Sequence, residues 1–221
     1  VVTGRNGLAR AEAAGIGLGI AVVTIDSDVS AFAAQGTTID GIDADADGHG
    51  DGDLKIVAAL DSESKTLGFA GAAGGFIGLG SAVSVVTDTS DVRALLGARV
   101  NGSGAVEQGT SGSHAHVGDS VGFANVTVSA ESVRTLRVAT GAGGISLGAG
   151  LGIAVTVAKI SGATDALIGN CASIGTDGHE VGNVTVEASG EAYVKPYKDG
   201  DPMGIALAGG STKPSVPNDL L

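Results

Sequence analysis

The 221-residue chain carries 39 glycines, no tryptophan and only six other aromatic rings of Phe and Tyr, yet 43% of it is hydrophobic, so a disordered polyampholyte is excluded and Ala, Val, Ile and Leu must build the core. Its net charge of −12 argues against nucleic acid and anionic membrane surfaces as partners and fits a solvated extracellular surface or divalent-cation binding. The single Cys171 excludes an intrachain disulfide framework and a Cys-based zinc site; within "IGNCASIG" it reads as a small buried thiol.

Val1 is neither an initiator Met nor the start of a charged-then-apolar signal segment, so the chain is expected to be a mature piece or a fragment of something longer. In chain order, the first unit opens with "LARAEAAGIGLGIAVV" at Leu8, continues with "SDVSAF" at Ser27, and closes with "DLKIVAALDSES" at Asp53. The second repeats that order as "LGFAGAAGGFIGLGSAVSVV" at Leu67, "SDVRAL" at Ser90 and "NVTVSAESV" at Asn125. The third does so as "LRVATGAGGISLGAGLGIAVTV" at Leu136, "ATDALI" at Ala163 and "NVTVEASGEA" at Asn183. Unit starts at Leu8, Leu67 and Leu136 are 59 and 69 residues apart, and "MGIALAGG" at Met203 reads as the opening of a fourth. Length differences collect in one loop per unit, the pattern of a stacked repeat array. The predicted organisation is therefore 1–64 with an Asp-rich loop at 40–53, then 65–133, then 134–192, and a Pro-containing tail or partial fourth unit at 193–221.

Inside each unit the period is two. Odd positions of Ile145–Val157 are Ile, Leu, Ala, Leu, Ile, Val and Val; even ones are Ser, Gly, Ala or Thr. Such alternation puts branched side chains on one strand face and leaves the other nearly bare. The branched faces are expected to be buried between neighbouring rungs. The bare face either lets another sheet or chain approach closely or relieves crowding at bends. Thr66–Thr87 and Ala139–Ala158 are uncharged over 22 and 20 residues, long enough for a membrane-spanning helix. Period two, abundant glycine, the shorter equivalent run Ala13–Ile25 and the lack of aromatic girdles argue against it, and no membrane insertion is expected. The predicted fold is all-β, a repetitive β-solenoid (β-helix-like) of about three units of 59–69 residues. An antiparallel β-sandwich is the alternative.

The strands "GIGLGIAVVTIDSDVSAF", "GLGSAVSVVTDTSDVRALL", "GDLKIVAALDSES" and "NVTVSAES" resemble the repeats of large bacterial surface and secreted adhesins of the filamentous-haemagglutinin and leukotoxin-like kind. The likeness extends to about Ala192. It implies an extended scaffold for adhesion or envelope structure at the cell surface or outside the cell, and no catalysis. Phe32, Leu95 and Leu167 stand where those repeats usually carry an aromatic, and the Asp-rich insertion lies outside the shared pattern.

That insertion, "DGIDADADGHGDGDL" at Asp40–Leu54, contains Asp43, Asp45, Asp47, Gly48 and Asp51 at positions 1, 3, 5, 6 and 9 of an EF-hand-type loop. Alternating carboxylates can surround one hard cation, with His49 at the backbone-carbonyl position and Asp53 or Asp40 in place of the missing bidentate Glu, since the twelfth residue is Leu54. The expected cofactor is calcium, with Asp43, Asp45, Asp47, His49, Asp51 and Asp53 as its set, bound with the weak affinity of extracellular modules. "TDGHE" in the third unit and "HAH" at His114–His116 are read as solvated loops, and the Asn-Val-Thr sequons at Asn125 and Asn183 as turn residues before strands. No nucleophile–base–acid arrangement or phosphate loop appears, so a structural or adhesive segment is expected, not an enzyme. Its partners would be other copies of itself, surface proteins or glycans. The alternative is a calcium-dependent module that binds a glycan or protein.

Overall fold

The computed structural model describes residues 2–5, 7–11, 13–46, 50–101, 103–108 and 114–210. Every regular element among them is a β-strand. The first stretch contains β1 (Val2–Arg5), β2 (Gly7–Ala11), β3 (Ala14–Ile25), β4 (Asp28–Ala33) and β5 (Thr38–Ile39). A second run holds β6 (Asp53–Gly74), β7 (Ile77–Asp88), β8 (Asp91–Leu96), β9 (Ala98–Val100), β10 (Val106–Gln108) and β11 (Ala115–Val117). It is followed by β12 (Phe123–Ser146), β13 (Ala149–Ile160), β14 (Thr164–Ile168) and β15 (Ala172–Ile174), then β16 (Val181–Pro196) and β17 (Gly204–Gly210).

Strands equivalent in sequence lie side by side and parallel. Sheet A is β1-β3-β7-β13, sheet B is β2-β6-β12-β16 with β17 also on β12, sheet C is β4-β8-β14, and sheet D is β5-β11-β15. One step relates the first parallel pair of strands in each of sheets A, B and C. Gly15 lies beside Gly78, Asp28 beside Asp91 and Gly7 beside Ala70, each 63 residues on. The next step is 72: Gly78 beside Gly150, Val92 beside Thr164, Asp53 beside Asn125. Antiparallel pairing occurs between β1 and β3 and in the β9–β10 hairpin. An antiparallel sandwich would instead pair strands adjacent in the chain through short turns.

Two long strands run through the sequence-unit boundaries. Residues 64 and 65 both lie in β6, and residues 133 and 134 in β12. "MGIALAGG" supplies β17, whose Gly204 pairs with Thr140 where β16 has left off at Pro196 beside Val138. Residues 211–221 of the tail lie outside the described residues.

The interior tapers. Between the first half of sheet B and sheets C and D it is filled by Val92, Leu96, Val117, Phe123, Val126 and Val128. Between sheets A and B it narrows to Val23, Val86, Leu136 and Val138, and then to Ala70, Ala82 and Ala142. At the tip only glycine fits: a Cβ on Gly78 would sit 2.5 Å from the Ile145 carbonyl oxygen, and one on Gly80 would run into the Gly143 backbone. Small residues thus set the separation of the two sheets, as required where backbones approach closely.

This reverses the expected burial. The bare Gly/Ala face points inward, and the branched face points outward: Gly17, Gly19 and Ala21 are buried while Ile16 is 70% and Leu18 56% exposed. The long alternation at Ile145–Val157 is not one strand either. It bends at Leu147–Gly148, leaving Ile145 on the outer face of sheet B and Leu151 on the outer face of sheet A. Alternation continues in phase around the bend, so both outer faces are apolar there.

At the corner between sheets A and C the turns are held by buried polar groups. Arg134, on β12, donates from one guanidinium nitrogen to the carbonyls of Ser90 and Ser161, 2.9 Å each. Asp88 accepts from the Ser90 amide at 2.9 Å, and Asp91 from the Ala163 amide at 2.6 Å, which ties the start of β8 to the start of β14.

Candidate functional site

The acidic loop, between β5 and β6, rises on a pinned stem. Asp40 accepts a hydrogen bond from the Ser120 amide at 2.8 Å, and the Gly41 amide donates to Val121 at 3.0 Å. That Ser120 amide is the main reason the Asp40 carboxyl is held below its ordinary range. On the other side the Ala124 amide donates to Gly52 at 2.9 Å, and the Asp51 amide closes the loop onto the Ile42 carbonyl at 2.9 Å. A Cβ on Gly41 or Gly50 would collide with the Gly122 carbonyl, so glycine is required for the loop to lie against the segment that leads into β12.

Within this frame Asp43, Asp45 and Asp51 come together, each offering a carboxylate oxygen within 4.8 Å of the others. The Asp51 carboxylate also accepts the Ala44 amide at 2.8 Å. Ala46 adopts a left-handed φ of 59°, which turns the chain between these aspartates. The triad is partly exposed and has the oxygen-donor chemistry of a hard-cation site. Two residues expected in the set, Asp47 and His49, lie outside the described residues. Asp53 is directed elsewhere: it accepts from the Asn125 side-chain amide at 2.7 Å and lies 3.8 Å from the Lys55 ammonium.

That contact begins a ladder. Asn183 in turn donates to the Asn125 side-chain oxygen at 3.0 Å, so Asp53, Asn125 and Asn183 run across the start of sheet B in register. The "NVTV" asparagines therefore tie the neighbouring strands β6, β12 and β16 together, which a reading as isolated turn residues misses. Their identical place in the repeat was the available signal. Asn101 caps its own loop by accepting from the Ser103 and Ala105 amides at 2.9 and 3.1 Å. His114 and His116 bring their rings to 6.0 Å in a T-shaped arrangement, with the His116 ring 4.0 Å from Asp119. In the third loop, Thr176 and His179 bridge around Gly178, whose φ is 83°. Cys171 is buried.

Two surfaces stand out beside the loop. On sheet A the outward rows are Ile16–Leu79–Leu151, Leu18–Ser81–Ile153, Ile20–Val83–Val155 and Val22–Val85–Val157, each in register across β3, β7 and β13. On sheet B the uncharged half carries an open apolar groove of about 690 Å³ lined by Leu67, Phe69, Ile145, Pro202, Ile205 and Leu207. The last strand of sheet B is exposed along nearly its whole length. Val184 and Val186, which continue the buried positions Val126 and Val128, are 48% and 46% exposed, β16 being an edge strand among the described residues. Among the described residues no helix is long and apolar enough to cross a membrane. No family model matches this chain, and neither does any curated protein or solved structure.

Proposed function

We propose that this chain is a non-catalytic structural and adhesive segment of a large secreted or cell-surface repeat protein, folded as a β-solenoid whose coils stack end to end into extracellular fibres. The observation that carries this reading is that strands equivalent in sequence pair in parallel across sheets A, B and C, by a step of 63 residues and then of 72, together with the exposed edge strand β16. A parallel edge strand with half-exposed inward valines is a template for another coil. The resemblance to adhesin repeats, the acidic surface and the polar outer half of sheet B around Lys55, Glu63 and Glu131 support an extracellular place. The Asp43–Asp45–Asp51 cluster is read as a calcium site that staples the longest insertion of the first coil onto the second.

Sedimentation velocity over a concentration series tests the end-to-end reading. The wild-type chain should form open-ended oligomers, and Val184→Lys with Val186→Lys should abolish them while leaving the melting temperature within a few degrees. Oligomers that persist in that variant would refute pairing through the β16 edge. A second reading, a calcium-dependent module for a glycan or partner protein, is favoured by the same aspartate cluster. It differs in requiring that chelation abolish binding while the oligomer distribution stays unchanged.

A further inference from the structure

Sheet B has a second edge, opposite β16. There β6 runs beside β12 along its whole length, while β2 reaches only its residues 70–74. Among the described residues no strand pairs with residues 53–69 on that side. The core is cut open at this end. Val29, Ala31, Ile39 and Leu54 are only partly buried, whereas their register neighbours Val92, Ala94, Val117 and Val126 are at most 1% exposed. The inward side chains of this edge, Leu54, Ile56, Ala58, Leu60, Ser62 and Ser64, carry no charge that would repel an added strand. We infer that β6 pairs antiparallel with β6 of a second copy, about a two-fold axis at Ala59.

The outward charges select that partner and that register. A two-fold at Ala59 sets Asp53 opposite Lys65 of the second copy, Lys55 opposite its Glu63 and Val57 opposite its Asp61. Symmetry doubles each pair, so every Lys of the strand meets a carboxylate and no like charges face each other. Neighbouring registers lose this match: an axis at Ala58 sets Asp53 opposite Glu63, and one at Leu60 sets Lys55 opposite Lys65. Within one chain Lys55 lies 3.8 Å from Asp53 and Lys65 3.7 Å from Glu63, in exposed pairs of little worth that add a facing partner readily. Glu63 keeps Arg137 as well. The other candidate for this edge, β16 of a second copy, fits less well. Carrying the parallel register on by one strand sets Glu191 beside Asp61 and Lys195 beside Lys65. Main-chain hydrogen bonds supply the affinity of such a strand addition, and the side chains choose the partner. The dimer keeps a β16 edge at each far end, so this contact and stacking through β16 fail independently.

The test is sedimentation velocity of the full chain carrying Val184→Lys and Val186→Lys, which blocks the β16 edge. A closed dimer is expected, and adding Lys55→Glu with Lys65→Glu should weaken it about ten-fold or more with an unchanged circular dichroism spectrum. A monomer before the charges are reversed, or a dimer indifferent to their reversal, overturns the inference. Oxidation of single cysteine variants of the same end-blocked chain reads the register, since Cys171 is buried. Ala59→Cys meets its own copy across the axis, with Cβ atoms about 5 Å apart, and should form a disulfide-linked dimer. Val57→Cys stands about 13 Å along the strand from its copy and should not. Equal yields from the two, or none from Ala59→Cys, refute the pairing whether or not the charge-reversed chain folds.

Discussion

Gly152→Ala is the most informative single substitution. Gly152 lies on the inward face of β13, and a Cβ there would stand 2.5 Å from the Leu207 carbonyl oxygen and 2.6 Å from that of Ala142, where ordinary contact begins at 3.4 Å. Sheets A and B would have to part locally by about 0.8 Å, which loosens the Ala82–Ala142 packing beneath. Overpacking of this kind costs about 1–3 kcal/mol. The lost backbone freedom of the unfolded glycine returns about 0.4–1 kcal/mol. A net loss of roughly 1–2 kcal/mol lowers the melting temperature of a chain this size by about 3–8 °C. Gly80→Ala, whose Cβ meets the Gly143 backbone more closely still, should lose more. Gly52→Ala is the control: nothing lies within 4 Å of its Cβ and its φ is not left-handed, so it should melt at or slightly above the wild-type temperature. Thermal melts followed by circular dichroism read all three. A Gly152→Ala protein as stable as Gly52→Ala would refute the close approach of the two sheets.

Calcium at about 10 mM should raise the melting temperature by roughly 3–10 °C for a site of about 10⁻⁴ to 10⁻³ M affinity, and Asp45→Ala or Asp51→Ala should erase the rise; an unchanged wild-type melt refutes the metal assignment. Arg134→Ala strands the Ser90 and Ser161 carbonyls at the corner, and chemical denaturation should show a loss of about 2–4 kcal/mol. Arg137 donates to Glu63 at 2.6 Å and to Asp199 at 2.8 Å, and these bonds are the main reason both carboxyls titrate below their ordinary values of 4.5 and 3.8. Stability from lowered carboxyls is present above those ordinary values and is lost as pH falls through the lowered ones. Arg137→Met should therefore melt below wild type near neutrality, with the gap closing in melts below about pH 4; a gap independent of pH would contradict the pairing.

The repeat and its strands were legible because period-two alternation survives in every copy. Alternation says which residues share a face and not which face is inside. Branched residues are assigned inward by habit, yet here the sheets lie too close for anything larger than Ala near the tip, so Gly78, Gly80 and Gly152 go in and Ile16, Leu79 and Leu151 go out. Register was legible only approximately. Aligned starts at Leu8, Leu67 and Leu136 imply steps of 59 and 69, whereas Leu8 lies beside Gly71 and Leu67 beside Ala139. Runs of Gly and Ala match themselves at several offsets, so they specify register weakly; turn lengths and the Asp53–Asn125–Asn183 ladder fix it. In the loop, spacing pointed to the aspartates that converge, Asp43, Asp45 and Asp51. It did not separate them from Asp53, because the competing Asn125 amide lies 72 residues away in sequence.

X-ray fibre diffraction from the concentrated, aligned wild-type chain tests most directly whether coils stack on coils. A reflection near 4.8 Å along the fibre axis, lost in the Val184→Lys, Val186→Lys variant, is the predicted result. Discrete particles at every concentration, with no axial 4.8 Å repeat, would contradict the scaffold reading.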